Sequence, residues 1–125
     1  MMQSKLVQEM LSKPRWAVVG VSPQPERVSH RIFQTLRAHG YQVYAVNPRY
    51  DEIEPGVKCY PSLEELPEVP DCVDFVVNPT VTLQTLQQLN PLETPYVWFQ
   101  PGSYDDAVIA YAEGRDSRQC ISRTA

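Results

Sequence analysis

The sequence predicts an α/β protein: a doubly wound parallel sheet in a three-layer α/β/α sandwich. Three observations lead there. Four short apolar runs, beginning at Trp16, Tyr41, Val73 and Tyr96, are dense in β-branched and aromatic residues, as strands buried on both faces are. Each run stops at a glycine or at a residue followed by proline: Gly20, Asn47-Pro48, Asn78-Pro79 and Gln100-Pro101. A stretch with helical periodicity follows each stop. Strand and helix alternating through short links give a parallel sheet with helices on both faces. At 125 residues the chain has room for one domain of the usual roughly 150 residues.

The elements follow in order. Leu6, Val7, Met10 and Leu11 share one helical face, so residues 1–13 read as a helix packed on the domain and ended by Pro14 at about Lys13. Residues 14–125 form the domain proper. Trp16-Ala17-Val18-Val19-Gly20 is its first strand, and a loop from Val21 to Val28 leads to a helix capped by Ser29, carrying Ile32, Phe33, Leu36 and His39, and closed by Gly40. Tyr41 to Val46 is the second strand. Val57-Lys58-Cys59-Tyr60 reads as a short extra strand, followed by a small helix in which Ser62 and Glu65 form a capping box. Val73 to Val77 is the next strand, and Thr80 is placed to cap a helix carrying Leu83, Leu86 and Leu89. Tyr96 to Phe99 is followed by Ser103 as the cap of a helix through Ala107, Val108 and Tyr111. From Arg115 onward the apolar content nearly vanishes. Residues 115–125 are therefore expected to be irregular, and a closing strand at Cys120-Ile121 is disfavoured.

Composition narrows the function. Eleven Lys and Arg against fifteen Asp and Glu give a net charge of −4, which disfavours a nucleic-acid binder. No apolar run approaches the roughly 20 residues that span a bilayer, and the first thirteen residues are unlike a secretory signal, so a cytoplasmic protein without membrane contact is expected. Cys59, Cys72 and Cys120 are odd in number and widely spaced, which encodes neither a disulfide framework nor a metal site.

In an open parallel sheet, ligands bind beyond the carboxyl ends of the strands. Four unusual loops fall there: Gly20-Val21-Ser22-Pro23, Asn47-Pro48-Arg49-Tyr50, Asn78-Pro79-Thr80 and Gln100-Pro101-Gly102-Ser103. Glycine lets backbone approach a ligand, and loops that open helices favour anionic oxygens, so a phosphorylated ligand is indicated. The dinucleotide fingerprint G-x-G-x-x-G fails, because the first loop holds one glycine and two prolines. Arg49 stands where an NAD site would carry an acidic residue, which suits a phosphomonoester: the 3′-phosphate of coenzyme A or the 2′-phosphate of NADP.

Gly20-Val21-Ser22-Pro23-x-Pro25-x-Arg27, Val43 to Tyr50, Tyr60-Pro61-Ser62-Leu63 and Val97 to Gly102 together resemble the small stand-alone CoA-binding proteins. These are similar to the CoA-binding domain of the succinyl-CoA synthetase α subunit. The resemblance runs from about Pro14 to Ala112 and implies a Rossmann-like fold with coenzyme A, free or as acyl-CoA, across the carboxyl edge. It implies that Gly20, Val21 and Ser22 meet the diphosphate, with Arg27 close by. It implies further that Arg49 meets the phosphates of the ADP moiety, that Pro48, within the Asn47 to Tyr50 loop, flanks the adenosine, and that Asn78, Pro79, Thr80, Gln100, Pro101 and Gly102 line the groove beyond.

The other reactive side chains have plainer readings. His30 is expected on a helix surface, His39 at a helix C-terminus, and Asp105 and Asp106 in a first turn that favours acidic groups. Tyr50 is the aromatic placed to stack on adenine, and Cys120 reads as a free thiol. A side chain at position 20 is expected to block the ligand and leave the fold intact. The expectation is a CoA-binding protein without a catalytic group or metal of its own and with any protein partner open. Its rivals are an enzyme using NADP or an acyl-CoA, and an interaction or sensor module with a vestigial pocket.

Overall fold

The computed structural model describes residues 2–115 and 118–121. Along the chain come α1 (Met2–Leu11), β1 (Arg15–Val19), α2 (Val28–Ala38), β2 (Gln42–Val46), β3 (Glu52–Glu54), β4 (Val57–Tyr60), a single 3-10 turn (Leu63–Glu65), β5 (Cys72–Phe75), α3 (Pro79–Gln88), β6 (Tyr96–Phe99), α4 (Asp106–Glu113) and β7 (Arg118–Ile121). The strands form one seven-stranded sheet in the order β3-β4-β2-β1-β5-β6-β7. Every pairing is parallel except that of β3 with β4.

Alternation along the strands builds the two helical layers. Trp16 and Val18 point to one face and Ala17 and Val19 to the other. On the first face Val18 and Ala45 pack with Phe33, Ile32 and Leu36 of α2, while Trp16, Cys72 and Tyr96 pack with Leu6, Val7 and Met10 of α1. On the second, Ala17, Val19, Val73, Phe75, Val97 and Phe99 pack with Leu86 of α3 and Val108 and Ala112 of α4. The central strands are closed on both sides, which is why their sequences read as continuous apolar runs. The architecture is the Rossmann-like doubly wound sheet. No helix among the described residues is long and apolar enough to cross a membrane.

Three features depart from the sequence-based expectation. The strand disfavoured near the C-terminus is present: β7 pairs in parallel with β6, Tyr96 against Arg118 and Phe99 against Ile121. Tertiary contacts replace the missing apolar signal. The Arg118 amide donates to Pro95 O at 2.7 Å, and its guanidinium lies 2.9 Å from Glu9 and over the Tyr96 ring. The side chains of Cys120 and Ile121 lie outside the described residues, as do 116–117 and 122–125, so the expectation of a free thiol at Cys120 concerns a part of the chain not described. The second departure is β3, a short antiparallel partner of β4 joined to it through Pro55 and Gly56, the latter at φ +83°. Proline followed by glycine is a turn signal, but Glu-Ile-Glu is too short and polar to read as a strand.

The third departure concerns the caps. Serine and threonine near each helix start were expected to cap it, yet α2 begins at Val28 with Arg27 at its N-cap, and the Ser62 side chain makes no cap bond. Asn78 and Asp105 cap α3 and α4 in place of Thr80 and Ser103, accepting from the amides of Val81 and Val108. Both have an oxygen placed for the orphan amides of the first turn, and Pro79 then occupies a position where no amide is needed.

Candidate functional site

Because β2, β1, β5 and β6 are adjacent and parallel, the loops that leave them emerge along one edge of the sheet. Three strand spacings of about 4.8 Å make that edge roughly 15 Å long. The chain runs from β1 outward to β2 and later returns to β5 on the other side, so the topological switch point lies between β1 and β5. The loop that begins at Gly20 occupies it.

Gly20 sits at φ +102°, and its amide donates to Val46 O at 2.7 Å. A Cβ built there would lie 2.6 Å from Val77 Cγ1 and 2.8 Å from the carbonyl oxygen of Val76. Glycine is therefore required by the fold itself. The expectation that a larger residue would block a ligand and spare the fold is corrected on this ground: the obstruction is the Val77 side chain and the Val76 backbone just past β5, and the φ is one that side chains resist.

Ser22 is held at every polar atom. Its amide donates to Ser29 Oγ at 3.1 Å, its hydroxyl accepts from the Gln24 amide at 3.1 Å, and its carbonyl lies 2.8 Å from His30 Nδ1. Ser29 and His30, both buried in the first turn of α2, thus grip the loop from below. His30 is not the surface histidine its position suggested: α2 starts two residues earlier than expected, and the ring is buried against the loop. The spacing Ser22, Ser29, His30 is the signal that was present, but it becomes meaningful only when the loop folds back on the helix.

Asn47 ties the first loop to the second. Its Nδ2 donates to Val21 O at 3.0 Å and its Oδ1 accepts from the Arg49 amide at 3.0 Å. Arg49 is exposed, and so is Arg27, whose Nε donates to Gln24 Oε1 at 3.1 Å. Neither forms an ion pair among the described residues. Pro48 is exposed, while Tyr50 is half-buried against Ile53 and its neighbours, which limits the ring face it offers. Asn78 is spent on capping α3, with Pro79 and Thr80 in its first turn. Gln100 reaches back to Asp74, Pro101 is exposed, and Gly102 turns at φ +87°.

Asp74 went unnoticed within its apolar run. It is buried on β5, with Oδ2 accepting from Gln100 Nε2 at 3.1 Å. Burial pushes its carboxyl up to about 7, and the bond from Gln100 opposes that shift. Its Oδ1, and the indole Nε1 of Trp98 opposite it in the register, are enclosed without a partner among the described residues. Burial also raises the Cys59 thiol and pushes that of Cys72 up to about 12; both are buried free cysteines in surroundings that disfavour the thiolate. Among the described residues no group of three or more His, Cys, Asp or Glu is arranged to hold a metal.

A cavity of about 430 Å³ lies on the α3 side, under the proline-rich connection from Pro61 to Pro70. It is lined mainly by apolar residues, among them Val19, Val46, Leu63, Leu66 and Leu89, and of the fourteen candidate residues only Pro48 borders it. The other thirteen do not border it; they fall in or just after the loops that leave β1, β2, β5 and β6, with the Val21 side chain buried in the core beside Val18 and Phe33.

Such an edge, on such a sheet, belongs to the Rossmann-like class of ligand-binding domains. Residues 14–123 match the CoA binding domain family, and the chain belongs to that family. It is 48% identical over 61 residues to an ADP-forming acetate–CoA ligase of Archaeoglobus fulgidus, a match that spans 49% of this chain and only 9% of the ligase. It is 32% identical over 97 residues to the uncharacterized protein YneT of Bacillus subtilis, covering 77% of this chain and 71% of that one. A solved structure of a hypothetical protein from Pyrococcus horikoshii superposes with a TM-score of 0.87 at 32% identity, covering 98% of this chain and 86% of the other.

Proposed function

We propose that this protein binds coenzyme A or an acyl-CoA along the carboxyl edge of its sheet, and that its role there is recognition without bond breaking. The observation that carries this reading is the rigid Gly20 to Ser22 loop at the switch point, flanked by the exposed cations Arg27 and Arg49 and tied to the latter's loop by Asn47. In the proposed pose the diphosphate lies against Gly20, Val21 and Ser22, within reach of Arg27. Arg49 meets the 3′-phosphate as a planar, permanently charged donor, and Pro48 and Tyr50 flank the adenosine. The pantetheine arm then runs past Asn78, Pro79 and Thr80 toward Gln100, Pro101 and Gly102. Two facts support binding over chemistry: both ring nitrogens of His30 are engaged within the protein, and the carboxyl of Asp74 is sealed beneath the edge.

Thermal unfolding with coenzyme A, acetyl-CoA, NADP, NAD and ATP, side by side, tests the ligand class. Ligand at 100 times its dissociation constant adds about 2.7 kcal/mol, raising the midpoint of a domain this size by on the order of 10 °C. A rise with the CoA compounds alone is expected; none at millimolar ligand refutes the reading. Arg49→Ala is expected to weaken coenzyme A far more than dephospho-CoA. Equal losses would move Arg49 away from the 3′-phosphate.

A further inference from the structure

Resting on the reading of the Gly20 to Ser22 loop as part of the ligand site, we infer that His30 is a positioning residue, with its proton on Nδ1 facing Ser22, that locks this loop and links it to β3. The hydrogen-bond chain fixes the assignment. Gln34 Nε2 lies 2.5 Å from Glu54 Oε1, and Gln34 Oε1 accepts from Arg37 Nη1 at 3.2 Å. A carboxylate on one side and a guanidinium on the other leave one orientation for the Gln34 amide: its NH2 faces Glu54. The same NH2 lies 3.3 Å from His30 Nε2. Its two hydrogens are thus shared between Glu54 and the imidazole, and Nε2 must present a lone pair. The ring proton is then on Nδ1, where it is donated to Ser22 O at 2.8 Å.

Each link supports the next. Glu54 and Arg37 orient Gln34, Gln34 selects the tautomer, and the tautomer provides the donor that the Ser22 carbonyl needs at a site only 7% exposed. The chain ends on β3, the strand that follows Arg49 and Tyr50. Asn47 already joins the two loops at their rim, so this chain, buried at its His30 end, is a second tie between the proposed diphosphate and 3′-phosphate positions, and it holds the loop in place before a ligand arrives.

Two substitutions separate the two faces of the ring. An asparagine amide nitrogen superposes on Nδ1 and still reaches Ser22, whereas a glutamine amide superposes on Nε2 and does not. Coenzyme A affinity by calorimetry is expected to stay within about threefold of wild type in His30→Asn. It is expected to fall about tenfold in His30→Gln and His30→Ala, with far-UV circular dichroism and thermal unfolding verifying that each variant folds. Equal losses in His30→Asn and His30→Gln overturn the inference. The tautomer itself is read on the unaltered protein by nitrogen-15 NMR at neutral pH: a protonated-type Nδ1 and an unprotonated-type Nε2 are expected. A ring protonated at Nε2, alone or with Nδ1, overturns the assignment whether or not coenzyme A binds. Failure of the wild-type protein to bind coenzyme A refutes the proposed function, and the nitrogen spectrum then decides the loop-locking role by itself.

Discussion

Asp74→Asn should stabilise the protein more in mild alkali than in mild acid. The folded chain encloses this carboxyl and holds its proton up to about pH 7, whereas an unfolded chain releases it near 3.8. Between those values the folded state binds more protons than the unfolded state, so stability falls as pH rises through the window. About three units at about 1.36 kcal/mol each set a ceiling on the order of 4 kcal/mol, of which roughly 2.5 kcal/mol falls between pH 5 and pH 8. The variant keeps an oxygen to accept from Gln100 Nε2 and has nothing to ionise. Urea unfolding of both proteins at pH 5 and pH 8 measures the difference. Relative to the variant's, the wild-type midpoint should drop by about 1–2 M on going from pH 5 to pH 8. Parallel behaviour of the two proteins would mean that Asp74 titrates as an ordinary carboxylate, and the account of its enclosure would be wrong.

Other substitutions test the loops and the chain ends. Gly20→Ala should cost about 1–3 kcal/mol for its positive φ, with more from the contact with the Val76 carbonyl, and should lower the thermal midpoint before any ligand is added; an unchanged midpoint would refute the packing argument. Asn47→Ala removes bonds to Val21 O and from the Arg49 amide and should cost about 1–3 kcal/mol in urea unfolding. It should weaken coenzyme A as well, because the two loops lose their common tie. Glu9→Ala separates α1 from Arg118 and Tyr96, yet the pair is exposed and the loss should stay at or below about 1 kcal/mol by thermal unfolding. A larger loss would make the contact between α1 and β7 a main support of the fold.

The layers were legible because the central strands are buried on both faces. Trp16 to Val19 and Tyr96 to Phe99 carry no charged residue, and Val73 to Val77 only Asp74, so the runs read as apolar throughout. The edges were not. β7 is held by its ladder to β6 and by contacts such as that of Arg118 with Glu9, 109 residues away in sequence, and β3 forms because Pro55-Gly56 folds Glu52 to Glu54 back on β4. At the site, the loop positions followed from where apolar runs stop, but the duties of individual residues did not. Asn47 and Asn78 proved to hold backbone, and His30 and Asp74 were hidden, one by a helix that starts early and the other by apolar neighbours. These contacts are set by tertiary geometry, which local spacing does not encode.

β3 also bears on how the molecule behaves among copies of itself. An exposed strand invites another chain to pair with it, and long apolar edges begin aggregates. This edge is three residues long, Ile53 turns into the core, and Glu52 and Glu54 stand outward. Two molecules meeting there would bring carboxylates together and gain few backbone bonds. This edge of the sheet is thereby a poor template for a second chain, and neutralising both glutamates would remove the charge that makes it so.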